Sequence, residues 1–101
     1  MAQNLLDAYI DGYNGLEVTE TKVFPFKEDM GHLKALVIVT FNGVLTVRGL
    51  RVMEGADGLF VTYPLDPFYK GEDLRSIVAP DDGLREYIER KVLSAYDEIT
   101  R

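Results

Sequence analysis

The sequence contains no cysteine and only one histidine, His32. The lack of cysteine excludes a disulfide framework, a thiolate zinc site and a thiol nucleophile, and it is compatible with a reducing compartment. His32 would have to serve alone in any Ser-His-Asp system. Its position beside Gly31, where a loop meets a strand, favours an ordinary surface residue.

Long apolar runs are also missing. The longest, from Ala35 to Val39, is far shorter than the ~20 residues that cross a bilayer. The N-terminus carries Asp7 and Asp11 where a secretory signal would have a basic start and a longer apolar stretch. We therefore expect neither membrane insertion nor export, and we predict a cytoplasmic protein.

The acidic residues do not form a pattern that predicts catalysis or metal binding. Three acidic pairs lack flanking histidines, and each has a local explanation in a turn, a solvated loop or a helix start: Glu54/Asp57, Glu72/Asp73 and Asp81/Asp82. The glycines between Gly55 and Gly58 are not followed by a helix and do not predict a phosphate-binding loop. We expect no enzyme activity, no metal and no cofactor.

Positive charge is in short supply, with 11 Lys and Arg against 17 Asp and Glu and a net charge of −6. This balance repels polyanions at long range. The basic candidates for nucleic-acid binding are Arg48, Arg51, Lys70, Arg75, Arg85, Arg90 and Lys91. One interpretation is that they balance nearby acids, as the spacing of Glu86 and Arg90 permits. The other is that they contact phosphates, beside Tyr63, Phe68 and Tyr69 as groups on which bases stack.

The chain is long enough for one core, since it has 101 residues of which 47% are apolar. We predict an N-terminal extension over residues 1–15, either a short helix or disordered, and a single α+β domain over residues 16–101. The domain is predicted to contain an antiparallel meander of four to five strands followed by a helix. The predicted strands start at Leu16, Leu33, Val44 and Leu59, and a short edge strand covers Leu74–Val78.

Asn42-Gly43 is the strongest local signal, because this dipeptide between β-branched runs is typical of a two-residue type I′ hairpin. Such a loop pairs Phe41 with Val44 and Val37 with Arg48. One face of the hairpin then carries Leu36, Ile38, Leu45 and Val47. The other carries Ala35, Val37, Val39, Phe41, Val44 and Leu50.

The C-terminal helix is predicted to begin after Pro80, with Asp81 as its N-cap. Its apolar stripe contains Leu84, Tyr87, Ile88, Val92, Ala95, Tyr96 and Ile99, with Leu93 on the opposite side. One helix covers one face of a sheet, and both faces are apolar, so we predict a homodimer. The predicted dimer interface is Val37, Val39, Phe41, Val44 and Leu50.

The stretch from Val47 to Pro64, read as VRGLRVMEGADGLFVTYP, resembles the stage V sporulation protein G (SpoVG, septation regulator) family. Val18–Val23 is similar to the first strand of that family, and Leu33–Phe41 to its second. Leu74–Pro80 stands where the family has a basic-aspartate-isoleucine stretch, and a helix ending near Ala95-Tyr96 follows. The resemblance covers about residues 16–99.

The resemblance implies a dimeric bacterial regulator of septation and sporulation that binds DNA or RNA and has no enzyme activity. The chain departs from the family pattern at two places within the domain, and the second is the segment expected to contact phosphates. Gly49 replaces a usual aspartate, and Leu65–Lys70 replaces a Ser-basic-basic segment. A protein-interaction module that keeps the fold and does not bind nucleic acid is therefore the alternative.

Overall fold

The computed structural model describes residues 11–69 and 76–101. Four strands form one antiparallel sheet in the order β1-β2-β3-β4, and a single described helix follows: β1 Val18–Pro25, β2 Leu33–Phe41, β3 Leu45–Gly55, β4 Gly58–Thr62 and α1 Asp82–Thr100. Helix α1 contacts β1 and β4, the two edge strands. The predicted α+β meander with a C-terminal helix is confirmed.

The hairpin between β2 and β3 has a different register from the one predicted. Asn42 and Gly43 both have positive φ, as a type I′ turn requires, but Val44 also belongs to the loop and its N–H donates to the Phe41 carbonyl (3.0 Å). Strand pairing therefore starts at Phe41 with Leu45. Because side chains alternate along a strand, this one-residue shift moves Leu45 and Val47 to the face opposite the predicted one.

A bulge then restores the alternation further along β3. Val39 pairs with Val47, but Val37 pairs with Leu50, so β3 contains one extra residue at Arg48-Gly49. Gly49 adopts φ +89°, a conformation that costs other residues more. The bulge returns Leu50 to the same face as Val37.

Helix α1 packs on the face that we call the covered face. Its buried residues are Val18, Val23, Ala35, Val37, Val39, Phe41, Leu50, Val52 and Val61 of the strands, and the helix adds Tyr87, Ile88 and Val92. Together they form the hydrophobic core. Leu93, predicted on the polar side of the helix, packs against this core, whereas Ile99 is largely exposed.

The predicted dimer-interface residues do not form a free surface. Val37, Val39, Phe41 and Leu50 are at most 5% exposed and lie in the core of the protomer itself, and Val44 is 87% exposed at the hairpin tip. The prediction placed the helix on the wrong face. Every strand contributes buried apolar residues to the covered face, which also includes Thr21 and Glu54, whereas the opposite face includes the two cations Lys22 and Arg51. The helix therefore buries more apolar surface where it lies.

The opposite face, which we call the open face, carries Glu20, Lys22, Phe24, Leu33, Leu36, Ile38, Thr40, Thr46, Arg51, Met53, Phe60 and Thr62. Three of its large apolar side chains are conspicuously accessible: Phe24 is 51% exposed, and Leu36 and Phe60 are each 40% exposed. A Cβ on Gly55 would lie 2.9 Å from Phe60 Cε1, so this glycine leaves room for the Phe60 ring. The open face is thus apolar at one end of the sheet.

The start of α1 matches its prediction. Asp81 is the N-cap, and its carboxylate accepts a hydrogen bond from the Leu84 N–H (2.8 Å). Farther along the helix, Glu89 accepts from the Val61 N–H (3.1 Å), which ties α1 to the edge strand β4. Among the described residues, no helix is both long and apolar enough to cross a membrane.

The segment before β1 is held against α1 by a polar cluster. The Tyr87 hydroxyl accepts a hydrogen bond from the buried Val18 N–H (2.7 Å) and donates one to Asp11 (3.0 Å). Lys91 Nζ lies 2.8 Å from the same carboxylate. Of the predicted extension 1–15, residues 1–10 lie outside the described residues, and Asp11 is held by this cluster.

Candidate nucleic-acid interface

A groove opens where β4 ends, with a volume of about 630 Å³. We call it the basic groove, because two arginines are among its walls. It is lined by Gly49, Arg51, Val61, Thr62, Tyr63, Pro64, Leu65, Ser76 and Arg85. Its volume lies in the range of about 300–1,000 Å³ that is common for small-ligand sites.

The β3 bulge shapes one wall of the basic groove. A Cβ on Gly49 would lie 3.2 Å from the Cβ of Pro64, so the glycine lets the chain after β4 approach β3 closely. The opposite wall is fastened by an isolated bridge between Leu65 and Ser76 and by a hydrogen bond from the Ile77 N–H to the Pro64 carbonyl (2.8 Å). Only Ser76–Val78 of the predicted edge strand 74–78 is described, and it contributes this bridge.

The two arginines reach the basic groove from opposite sides of the sheet. Arg51 lies on the open face, opposite Thr62 of β4 and Leu36 of β2. Arg85 comes from the first turns of α1, which packs on the covered face. Arg85 has one ionic neighbour among the described residues, Asp82, at 3.7 Å with both side chains exposed. Such surface pairs are weak, so the Arg85 guanidinium remains able to bind an anion.

Tyr63 contributes to the groove a buried hydroxyl group that has no hydrogen-bond partner among residues 11–69 and 76–101. Burial raises the pKa of Tyr63 to about 12, with Arg85 opposing the rise and Glu89 adding to it. The phenol therefore stays protonated at neutral pH and can donate a hydrogen bond. Most buried hydroxyl groups in proteins have a partner.

Three further basic candidates that the structure describes, Arg48, Arg90 and Lys91, do not line the groove. Arg48 is exposed on the β3 bulge. Arg90 lies over the Tyr87 ring at 5.6 Å from its centroid, and Lys91 is paired with Asp11. The hydrogen bond to Asp11 raises the pKa of Lys91, and the same contact is the main cause that lowers the pKa of Asp11. Lys91 is thus engaged within the protein.

Two of the predicted residues, Lys70 and Arg75, lie outside the described residues. Of the predicted stacking groups, Tyr63 lines the groove, while Phe68 (87%) and Tyr69 (43%) are exposed on the loop that follows. The sequence reasoning did not single out Gly49, Thr62, Pro64 or Ser76 as groove residues. The one available signal was Gly49, because a glycine inside a strand often marks a bulge or a close backbone approach.

The other polar side chains do not assemble a second centre. Within residues 11–69 and 76–101, His, Cys, Asp and Glu form no group of three or more that could hold a metal ion. His32 is exposed, with Nδ1 2.9 Å from the Glu54 carbonyl oxygen. This contact fastens the loop before β2 to the end of β3.

The sequence pattern of the SpoVG family matches residues 16–98. The chain belongs to the SpoVG family. A relative from Symbiobacterium thermophilum is 47% identical over 72 residues, which cover 70% of this chain and 51% of that protein. This chain therefore spans about half the length of that relative.

Two further SpoVG relatives are matched over more of their length. One from Bdellovibrio bacteriovorus is 39% identical over 84 residues, covering 82% of this chain and 75% of that protein. One from Staphylococcus aureus is 36% identical over 85 residues, covering 83% of each. All three relatives are provisionally named septation protein SpoVG. The family match over residues 16–98 includes all four strands, most of α1 and the residues that line the basic groove.

Proposed function

We propose that this protein is a homodimeric regulator of the SpoVG type that binds DNA or RNA and acts in septation or sporulation control. The observation that carries the nucleic-acid part is the basic groove, where Arg51 and Arg85 come from distant parts of the chain to line one cavity. A planar guanidinium matches the geometry of a phosphate, and arginine stays charged at all physiological pH values.

The net charge of −6 opposes long-range attraction of a polyanion. Binding must therefore depend on short-range contacts at the groove. Two phosphates neutralised by two arginines release few counterions, so the salt dependence should be shallow. For a single strand we expect log K against log salt to fall with a slope of about −1.4.

A titration of labelled random-sequence RNA and DNA pools, followed by fluorescence anisotropy over a salt series from about 50 mM, tests this proposal. Arg51→Ala and Arg85→Ala should each weaken binding and make the slope shallower by about 0.7. Arg101→Ala is the matched control, because Arg101 pairs with Asp97 at the far end of α1. No binding at the lowest salt, or equal losses in all three variants, would contradict the proposal.

The dimer part of the proposal rests on the open face. Phe24, Leu36 and Phe60 form an exposed apolar patch beside Lys22. Glu20 lies two residues before Lys22 on the same strand and the same face. Two copies related by a twofold axis could bury the patch while Lys22 of each faces Glu20 of the other, so the surface is complementary to itself. We propose that a second copy of this chain occupies the patch, with Arg51 at its border so that the Arg51 guanidinium still faces the basic groove.

Light scattering coupled to size-exclusion chromatography checks the dimer. The wild type should have twice the chain mass, and Leu36→Asp should have the mass of one chain while its circular dichroism is retained. Leu65→Asp is the control, since Leu65 is similarly exposed (54%) but lies outside the open face. A wild-type mass equal to one chain at micromolar concentration would exclude the dimer.

The alternative is a protein-interaction module. It is favoured by the apolar groups beside the basic groove, since Leu65, Phe68 and Ile77 are 54%, 87% and 66% exposed. Surface of this kind is common where another protein binds. If the nucleic-acid titration fails while the dimer forms, this alternative becomes the proposed function.

A further inference from the structure

We infer that the basic groove accepts one unpaired nucleotide of a DNA or RNA strand, and that the protein accordingly prefers single strands to duplexes. This inference rests on the proposed nucleic-acid function and specifies the form of ligand that the same site takes. Three features of the groove carry it: the path between its arginines, its mixed walls and its unpartnered hydroxyl.

The path between the arginines runs around the end of an edge strand. Arg51 belongs to the open face and Arg85 to the helix on the covered face, yet both line one groove. A backbone that contacts both must turn around the end of β4. Duplex DNA has a persistence length of about 50 nm and resists such a bend, whereas a single strand turns freely. The geometry selects a flexible strand.

The walls of the groove suit a base with flanking phosphates. Val61, Pro64 and Leu65 provide apolar surface, and Thr62 and Ser76 provide hydroxyl groups that can donate or accept hydrogen bonds. A base stacked inside a duplex presents no face to such walls. An unpaired base has two apolar faces and a polar edge, which correspond to the two kinds of surface in the groove.

The Tyr63 hydroxyl gives the site a specific donor. It is buried without a partner among the described residues, and a buried hydroxyl without a hydrogen bond is unfavourable in the free protein. Its neighbours include Arg85, whose charge acts on it directly. The binding step then includes a small shift of the groove wall that opens the buried hydroxyl, and an acceptor on the nucleotide, such as a base carbonyl or a sugar or phosphate oxygen, supplies the missing partner.

The test compares a single-stranded oligonucleotide with a hairpin duplex of the same composition, and adds free nucleoside monophosphates as a separate arm. Wild-type protein should bind the single strand at least about tenfold more tightly than the hairpin, because only the single strand offers unpaired bases. The monophosphates should compete only weakly, since each supplies one phosphate. Competition by a monophosphate as strong as by the oligonucleotide would instead identify a free-nucleotide site and overturn the inference.

Tyr63→Phe removes only the hydroxyl. We expect single-strand affinity to fall about three- to tenfold, as for one lost hydrogen bond, with hairpin affinity unchanged. The melting temperature of the free protein should stay the same or rise, because an unpartnered buried group is removed. Tyr96→Phe, on α1 outside the groove, is the matched control.

The outcomes separate the two proposals. If single strand and hairpin bind equally, or if Tyr63→Phe leaves the single-strand affinity unchanged, the nucleotide pocket is wrong while the proposed function stands. If neither ligand binds, the proposed function fails and the pocket fails with it. A fall in melting temperature for Tyr63→Phe would show that its hydroxyl has a structural partner and would also overturn the pocket.

Discussion

The covered and open faces of the sheet are made of alternate residues of the same strands, yet they differ sharply. Val37 on the covered face is 1% exposed, while its neighbour Leu36 on the open face is 40% exposed. The covered face has buried apolar residues in all four strands, whereas the apolar groups of the open face are interrupted by the cations Lys22 and Arg51. The difference teaches that a single helix docks on the face where it buries more apolar surface, and that a smaller apolar patch stays exposed on the other face.

The largest effect is expected from placing the same charge on each face. Val37→Asp puts an unpaired carboxylate into the core and should cost about 4 kcal/mol or more of unfolding free energy. Leu36→Asp, one residue away, should cost about 1 kcal/mol within one protomer, mainly through strand propensity, when measured at a protein concentration that dissociates the proposed dimer. Urea denaturation of both variants measures the difference. Equal losses would mean that the two faces are equally buried in solution.

Removing the hydrogen bonds of Tyr87 should destabilise the packing of α1 on the covered face and leave the open face unchanged. Tyr87→Phe removes the acceptor of the buried Val18 N–H and the donor to Asp11, so we expect a loss of about 1–3 kcal/mol. Hydrogen exchange should accelerate at Val18 more than at Leu45, which lies outside the helix contact. The prediction is wrong if Tyr87→Phe has the same stability as the wild type.

Gly49 lines the basic groove, which is reached by Arg51 from the open face and by Arg85 from the helix on the covered face. Gly49→Ala should cost about 1–2 kcal/mol, because a side chain is strained at φ +89° and its Cβ would meet Pro64 at 3.2 Å. Nucleic-acid affinity should fall with it, since Pro64 lines the groove. Gly31→Ala is the control for strain alone: its φ is also positive (+68°), but no atom lies within 4 Å of its Cβ.

The smallest effect on stability is expected from the ion pair between Asp11 and Lys91, which holds the segment before β1 against α1. The Lys91 hydrogen bond lowers the pKa of Asp11 below its ordinary value of 3.8, so the folded state favours the ionised carboxylate. This contribution is present above pH ~4 and is lost as pH falls through the lowered pKa. Asp11→Asn should therefore be slightly less stable than wild type at pH 7 and equally stable near pH ~2. A difference that persists in acid would contradict the ion pair as its cause.

Local sequence signals predicted the elements well. Asp81 caps α1 as its position after Pro80 suggested, and Asn42-Gly43 takes the positive φ angles of a turn. The family was also visible in the stretch from Val47 to Pro64. Turn residues and caps act through their own backbone and the nearest few residues, so a short window contains the information that decides them.

The register and the helix-bearing face were not predicted correctly. An Asn-Gly signal does not reveal that Val44 joins the loop, and a one-residue slip reverses every side chain of a strand. A count over all four strands would have found the more apolar face, since Val23, Val52 and Val61 lie on the same face as Val37. The prediction considered only the residues of the β2–β3 hairpin, and those residues are apolar on both faces.

In the candidate site too, the residue types could be predicted from the sequence but their arrangement in space could not. Arg51, Arg85 and Tyr63 were all recognised as candidates by residue type, but their meeting in one groove depends on the β3 bulge and on where α1 lies. Arg90 and Lys91 looked equivalent in sequence and are engaged by Tyr87 and Asp11 instead.

The sequence by itself determined the strands, the helix and its cap, the family and the supply of basic side chains, because each depends on local spacing and residue chemistry. The tertiary structure decided which face is covered, where Gly49 lets Pro64 approach, and which arginines share a cavity. Those outcomes depend on contacts between residues far apart in the chain, whose free energies are set by the surface that packing buries.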